Sequence, residues 1–356
     1  MKASYQRYDL HFKRPSGTSR GVLTTKETWF LKLTANQKVG YGECGMLRGL
    51  SIDDRPDYAE KIQWLCRNIN NSPEELLKEL REFPSLQFGL ETALQSLKGG
   101  DPFVLFPSNF TAGKLPIPIN GLIWMGDEAF MKAQIDEKLA QGFSCIKLKI
   151  GAIDFEKELA LLQFIRSQYT TEEIELRVDA NGGFPADQVL KKLERLSELG
   201  LHSIEQPIRQ GQQDILRDLC AQTPLPIALD EELIGVFDKA EKERLLQKVQ
   251  PQYIVLKPSL IGGFSGTQQW IDIAEEHHIG WWITSALESN IGLNAIAQWT
   301  ALKQTKMPQG LGTGGLYTNN LESPLFIQGE MLKYNPKKSW NLNALELTYP
   351  FNTNIP

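Results

Sequence analysis

From residue 115 onward, short apolar runs recur along the chain and each stops at a polar residue. The first clear one is Cys145-Ile146-Lys147-Leu148-Lys149-Ile150-Gly151, where apolar residues at 146, 148 and 150 alternate with lysines at 147 and 149. Alternation of period two is that of a strand, so both ammonium groups leave the same face. An edge strand with its lysines in water would give the same pattern. Further strand-like runs follow: Leu176-Arg177-Val178-Asp179-Ala180-Asn181, His202-Ser203-Ile204-Glu205-Gln206-Pro207, Pro226-Ile227-Ala228-Leu229-Asp230-Glu231, Tyr253-Ile254-Val255-Leu256-Lys257-Pro258 and Trp281-Trp282-Ile283-Thr284-Ser285-Ala286. The steps from Lys149 to Asp179, Glu205, Asp230, Lys257 and Ser285 are 30, 26, 25, 27 and 28 residues, the length of one strand, one helix and two loops. A polar residue ending each strand at that pitch predicts an α/β fold, a (β/α)8 barrel with an active site at the C-terminal face of its strands.

Residues 115–121 read as the first barrel strand, the lysine run as the second, and the runs ending at Asp179, Glu205, Asp230, Lys257 and Ser285 as the third to seventh. Gly310-Leu311-Gly312-Thr313, ending 28 residues after Ser285, reads as the eighth. Helical patterns fill the gaps, for example 155–166, 187–199 and 266–276, and another lies between Asp127 and Gly142. The first hundred residues follow a different rhythm. Residues 4–12, 28–33 and 39–42 read as strands of an antiparallel meander, with a polar, mobile loop over 15–21. Helices follow near Asp57, after Ser72 (an N-cap with Pro73, Glu74 and Glu75 in the first turn) and over about 85–98, where Gly99-Gly100 stops the pattern. Strands followed by helices predict an α+β unit over 1–100 that caps the barrel. Residues 101–114 read as a linker, 115–320 as the barrel, and 321–356 as a tail whose residues 331–348 return to cover the capping unit.

Composition narrows the function. A barrel takes about 250 of the 356 residues, which leaves roughly 100 for the cap. The net charge of −5 argues against nucleic acid as a partner, which calls for a basic face. No apolar run approaches the roughly 20 residues of a membrane span, and the N-terminus lacks the apolar core of a signal peptide. Cys44, Cys66, Cys145 and Cys220 form no CxxC pair and read as reduced, buried thiols, so the expected location is cytoplasmic. The four histidines show no metal-ligand spacing. A homo-oligomer is left open.

The strand ends carry the chemistry. Asp179, Glu205 and Asp230 end adjacent strands, and three carboxylates converging in a low-dielectric cavity repel one another. A bound divalent cation removes that repulsion, and all-oxygen ligation suits Mg²⁺ or Mn²⁺. Lys149 and Lys257 stand four strands apart, on opposite sides of the pore. The layout fits removal of a proton α to a carboxylate, with a cation and an ammonium stabilising the charge that develops. One lysine must be neutral to act as base. Burial and nearby positive charge lower lysine to about 7–8 in such sites, and Lys147 and the metal supply that charge.

These motifs, Lys147-Leu148-Lys149, Asp179-Ala180-Asn181, Glu205-Gln206-Pro207, Asp230-Glu231 and Leu256-Lys257-Pro258, resemble those of the enolase superfamily, for which a lysine or histidine base with Mg²⁺ is long established. Phe88-Gly89-Leu90-Glu91-Thr92-Ala93-Leu94 resembles the last helix of that superfamily's capping domain. The lysine pair is similar to that of the muconate lactonizing enzyme subgroup. Within it, residues 120–126, 285–292 and 310–313 resemble segments of the o-succinylbenzoate synthases of menaquinone biosynthesis. The resemblance implies a small cyclohexadiene carboxylate substrate bearing a β-hydroxyl and a succinyl arm, which loses water to become aromatic. It implies Lys149 as base, protonated Lys257 against the other ring face, and Asp179, Glu205 and Asp230 as metal ligands. Asn181 and Glu231 would orient those ligands. Arg177 would pair with a carboxylate, of the substrate or of the protein, and Ser285 and Gly312 would make room for the substrate. Thr18, Ser19 and Arg20 would form a lid or only the tip of a hairpin. The nearest rival on the same scaffold is an N-succinylamino acid racemase or dipeptide epimerase, which would use both lysines as bases. A non-catalytic barrel is disfavoured because all five key residues are intact.

Overall fold

The computed structural model describes residues 1–18 and 21–342, the side chain of Thr18 excepted. In chain order the elements are β1 (Lys2–Thr18), β2 (Gly21–Ala35), β3 (Lys38–Cys44), α1 (Tyr58–Arg67), α2 (Pro73–Glu79), α3 (Pro84–Lys98), β4 (Ile117–Pro118), β5 (Gly121–Ile123), α4 (Glu128–Ala140), β6 (Cys145–Lys149), α5 (Phe155–Arg166) and β7 (Glu175–Asp179). Then come α6 (Val189–Ser197), β8 (Ser203–Glu205), α7 (Gln213–Gln222), β9 (Ile227–Leu229), α8 (Lys239–Val249), β10 (Tyr253–Leu256), α9 (Gly263–Glu276), β11 (Gly280–Ile283), α10 (Asn290–Ala301), β12 (Leu325–Gln328) and β13 (Met331–Tyr334). No helix among the described residues is long and apolar enough to cross a membrane.

β1, β2 and β3 form an antiparallel sheet. Leu31 and Leu33 of β2 meet Ile62 and Leu65 of α1 and Leu86, Leu90 and Ala93 of α3 in one apolar cluster. The helix signals operate as read: Ser72 and Glu75 form a reciprocal capping box at α2, and the Asp127 carboxylate accepts from Phe130 N at 2.8 Å at the start of α4. The hairpin departs from the expected loop over 15–21. Pairing continues through Ser16↔Leu23, Gly17↔Val22 and Thr18↔Gly21, after a register shift between His11 and Ser16. The reason is tertiary: Gly17 bridges Met125 of the barrel, which holds polar residues in a strand they would not choose alone.

α3 lies directly on β3 because glycines remove the side chains between them. A Cβ on Gly42 would stand 1.9 Å from Gly89 O, and one on Gly89 2.3 Å from Cys44 Sγ. Gly42→Ala is therefore expected to destabilise the protein by about 3 kcal/mol, the upper range for overpacking, since the obstruction is backbone. Urea denaturation of the purified variant measures it, and a loss below about 1 kcal/mol would show that the helix can lift away.

The barrel wall is a parallel sheet in the order β11-β10-β9-β8-β7-β6-β5. Residues 309 and 310 close it. Gln309 bridges Ile119 and Gly310 bridges Thr284, both in the parallel sense. Asn120 N donates to Gln309 O at 3.1 Å, and Gly310 N donates to Ile283 O at 2.9 Å. The buried Gln309 side chain accepts from Ile283 N at 2.8 Å, so a side chain does what a longer strand would. The eighth strand thus lies at 309–310 instead of 310–313. The first strand also differs from the expected 115–121. Pro116 and Pro118 have no N–H for a ladder. Ile117 and Pro118 pair instead with Leu332 and Met331, and the strand beside β6 is Gly121–Ile123.

The segment 331–334 consequently belongs to the small β12-β13-β4 sheet and does not cover the capping unit. Residues 316–318 share that contact with the tail at Trp340 and Leu342, which pack against the cluster of Tyr8, Leu10, Phe30 and Tyr41 from the capping sheet: Lys13 N donates to Leu316 O at 2.8 Å and Thr318 N to His11 O at 2.9 Å. Trp340 stacks on Phe103 with ring centroids 4.3 Å apart, and Phe103 stacks on Tyr41 of β3. The expected tail beyond residue 342 lies outside the described residues.

Candidate active site

The parallel register brings the strand ends together. Lys149 of β6 is opposite Asp179 of β7, and Asp179 is opposite Glu205 of β8. Asp230 directly follows β9, and Lys257 directly follows β10. The three carboxylates therefore belong to adjacent strands, and the two lysines to strands four apart.

Side-chain contacts knit this layer. Lys147 and Lys149 each place Nζ 3.0 Å from Asp179 Oδ2. Lys147 also pairs with Glu205, and Lys257 with Asp230. Lys149 Nζ donates to Asn181 Oδ1 at 2.7 Å, and Asn181 Nδ2 donates to Glu231 Oε1 at 3.1 Å. Burial alone would raise Asp179, but the ammonium groups of Lys147, Lys149 and Lys257 hold it well below the usual carboxylate range. Burial alone would lower Lys147 and Lys257. Asp179 and Glu205 raise the first, and Asp230 and Glu205 the second.

The backbone is left-handed just past two of the acids, at Asn181 (φ 43°) and Gln206 (φ 38°). Such conformations in non-glycine residues persist where surrounding contacts dictate them, and they cluster at functional sites. Gln206 is one residue whose part the sequence reading missed, although it lies inside a quoted motif. Its Oε1 accepts from Asp230 N and Glu232 N, both at 3.2 Å, and so fixes the turn carrying Asp230.

The remaining expectations separate. Ser285 and Gly312 line the cavity, and Ser285 Oγ shares a hydrogen with Thr313 Oγ1 at 2.6 Å. A Cβ on Gly312 would meet Ile119 Cδ1 at 3.4 Å, Asn120 O at 3.8 Å and Ile327 Cδ1 at 3.9 Å, ordinary van der Waals contacts, so the glycine keeps one methyl group's volume out of the cavity wall. Arg177 does not reach the substrate space. It lies lower in the barrel, with Nε donating to Glu175 Oε1 at 2.7 Å, Nη1 to Pro308 O at 3.0 Å, and its guanidinium over Trp282. The ion pair with the protein is what the fold uses. Ser19, Arg20 and the Thr18 side chain lie outside the described residues.

The cavity has a volume of about 730 Å³. Its upper rim comes from the capping unit, with Lys13, Arg14, Leu47 and Arg48, and its floor holds Lys149, Asp179 and Lys257. Trp124, 5.9 Å from Lys149 Nζ, forms one wall. Its signal was present as an aromatic just after the first strand, but no pattern sets the direction of such a ring.

Among the described residues, no three carboxylate, imidazole or thiolate groups are drawn close enough to hold a metal as the side chains stand. Lysine ammonium groups occupy the space between the acids. The donor set nevertheless fits a hard divalent cation. All three residues offer oxygen, all are buried, and Glu205 Oε1 is buried with no hydrogen-bond partner.

A parallel barrel under an antiparallel cap, with lysines and carboxylates at its strand ends, defines the enolase superfamily. Residues 130–332 match the family profile "Enolase C-terminal domain-like", and residues 2–97 match "MenC, N-terminal domain". The o-succinylbenzoate synthase of Desulfotalea psychrophila is 50% identical over 93% of this chain and 98% of its own length. The crystal structure of MenC from that organism superposes with a TM-score of 0.83 at 47% identity, covering 94% of this chain and 99% of that one. The Pseudomonas fluorescens muconate lactonizing enzyme shares the fold, with a TM-score of 0.82 at 21% identity over 98% of each chain. The Bacillus subtilis L-Ala-D/L-Glu epimerase does too, with 0.81 at 21% over 94% of this chain and 96% of its own. The chain belongs to the o-succinylbenzoate synthase family of that superfamily.

Proposed function

We propose that this chain is a cytoplasmic enzyme of menaquinone biosynthesis that removes water from 2-succinyl-6-hydroxy-2,4-cyclohexadiene-1-carboxylate to give o-succinylbenzoate, with Mg²⁺ or Mn²⁺ as cofactor. One observation carries the reading: Lys149 and Lys257 face one cavity from strands four apart, with three buried carboxylates on the strands between. Half-identity to a named o-succinylbenzoate synthase supports the particular substrate.

Asp179, Glu205 and Asp230 would hold the cation, which when bound stabilises negative charge on the substrate carboxylate. Lys149 takes the proton α to that carboxylate, and the C–H electron pair passes into the carboxylate. The pair then returns to form the ring double bond as the β C–O bond breaks. Lys149 gives its proton to the leaving hydroxide on the same face, and water departs. Lys257 stays protonated, held by Asp230, and lies against the other ring face, where a cation–π contact is available.

Two opposed lysines also suit racemisation. The strand-8 end argues against the dipeptide epimerase; an N-succinylamino acid has no free ammonium and is distinguished by the diene assay. Residues 310–316 contain no carboxylate, and among the described cavity-lining residues the only acids are Asp179 and Glu137. The α-ammonium of a dipeptide would be buried without a counter-ion there, which is expensive. With purified enzyme and Mg²⁺, the ultraviolet absorbance of the diene is expected to fall as product forms. An enzyme that leaves the diene unchanged but racemises an N-acylamino acid or dipeptide would overturn the proposal.

A further inference from the structure

Outside the cavity, a second set of buried charges spans the boundary between capping sheet and barrel. Glu43 of β3 is fully buried. Its carboxylate accepts from Thr28 Oγ1 on β2 at 2.8 Å and, across the boundary, from Ser289 N and Gly292 N at 2.8 Å each and from Ser289 Oγ. Ser289 is the N-cap of α10, so a side chain of the cap satisfies the orphan amides of a barrel helix. The next acid, Glu288, is also fully buried. It accepts from Ala286 N at 2.8 Å on its own segment and from Ser259 Oγ, two residues after Lys257. A Cβ on Gly292 would stand 2.7 Å from Glu288 Cβ and 2.8 Å from Glu43 Oε2, so this glycine lets the two acids approach. Lys26 of β2 is buried and its Nζ has no hydrogen-bond partner; burial lowers its pKa, while the charges of Glu43, Glu288 and Glu27 favour its ammonium form. Glu27 is already held by Arg7, Arg48 and Trp29 Nε1. Lys26 thus supplies the counter-charge to Glu43 and Glu288, two acids that are costly to bury side by side.

We propose that Glu288 is a positioning residue for Lys257 and for the cavity wall at Ser285–Leu287, locked in register with the capping sheet by Glu43 and Lys26. The proposal rests on the dehydration reading above. Glu288 ties the loop after β10 to the loop after β11, and both loops line the cavity through Lys257, Ser285, Ala286 and Leu287. The fold contains its own comparator. Glu91 of α3 crosses the same boundary to cap α9, accepting from Phe264 N and Ser265 Oγ, yet it bonds no residue that lines the cavity.

The test compares Glu288→Gln and Lys26→Met with Glu91→Gln in the full-length, metal-loaded enzyme. All three are expected to lower Tm. Glu91→Gln should leave kcat and KM within about twofold of wild type. Glu288→Gln should lower kcat by roughly tenfold to a hundredfold with a smaller change in KM, the signature of a misplaced reacting group. Lys26→Met should shift kcat in the same direction. Hydrogen exchange without substrate should speed up at 257–261 and 285–289 in Glu288→Gln and stay unchanged there in Glu91→Gln. Equal kcat in Glu288→Gln and Glu91→Gln, or unchanged exchange at both loops, overturns the proposal. If Glu288→Gln does not fold, Ser259→Ala removes only the hydroxyl and carries the same expectation at smaller size. If wild type ignores the diene, the functional reading fails and the exchange measurement alone decides the positioning role.

Discussion

Lys149→Ala is expected to lower kcat for diene dehydration by about a thousandfold, within the range general acid–base catalysis supplies, while the protein stays folded and still binds metal. One lysine both takes the α proton and returns it to the leaving hydroxide, so its loss removes two proton transfers at once. The fold should tolerate the change because Asp179 keeps other partners: Lys147 Nζ at 3.0 Å and the Asn181 amide, which donates to Oδ1 at 3.0 Å. Lys257→Ala should behave differently. Asp230 is buried and loses its ammonium partner, so the metal-free variant should also be destabilised by about 3 kcal/mol, as when a buried pair is broken. Urea denaturation in chelator and the absorbance assay with Mg²⁺ separate the two effects. A Lys149→Ala enzyme that retains a tenth of wild-type kcat would remove Lys149 from the role of base.

The βα pitch was legible in the sequence because it has a physical cause. Parallel neighbours need a crossover of fixed minimum length, so 25–30-residue steps place the ends of successive runs side by side. Asp179, Glu205 and Asp230 fall on adjacent strands for that reason. Period-two alternation likewise put Lys147 and Lys149 on one face. The same rule put Arg177 on the face of Asp179, and there it gave direction without depth. Two residues are about 6.6 Å of strand, enough to lower the guanidinium into a layer with Glu175 and Trp282. The eighth strand escaped because two residues carry no periodicity and the Gln309 side chain replaces the missing ladder. Residues 16–18 looked like a loop because their polar sequence is held in strand pairing where Gly17 docks on Met125. The capping rim at Leu47 and Arg48 and the Lys26–Glu43–Glu288 set depend on how two units meet, which no local pattern encodes.

Removal of divalent ions is expected to abolish turnover, and added Mg²⁺ or Mn²⁺ to restore it. Three buried carboxylates on neighbouring strands are held against three ammonium groups, and one of their oxygens, Glu205 Oε1, has no hydrogen-bond partner. A buried acceptor left unpaired is unfavourable, and cation ligation would relieve it. Glu205→Gln tests this with little change of shape. It removes one ligand charge, while Lys147 keeps Asp179 at 3.0 Å and the strand pairing of β8 with β7 and β9 is untouched. Metal affinity should fall by at least the 10–100-fold that loss of even an outer partner entails, and kcat/KM at low metal should fall with it. The melting curve in chelator should stay close to that of wild type, since no packed volume changes. Titration calorimetry of the variant against Mg²⁺, paired with the absorbance assay in EDTA, is decisive. Full activity in chelator would show that the carboxylates serve only as counter-ions to the lysines, and the proposed cofactor would fall with it.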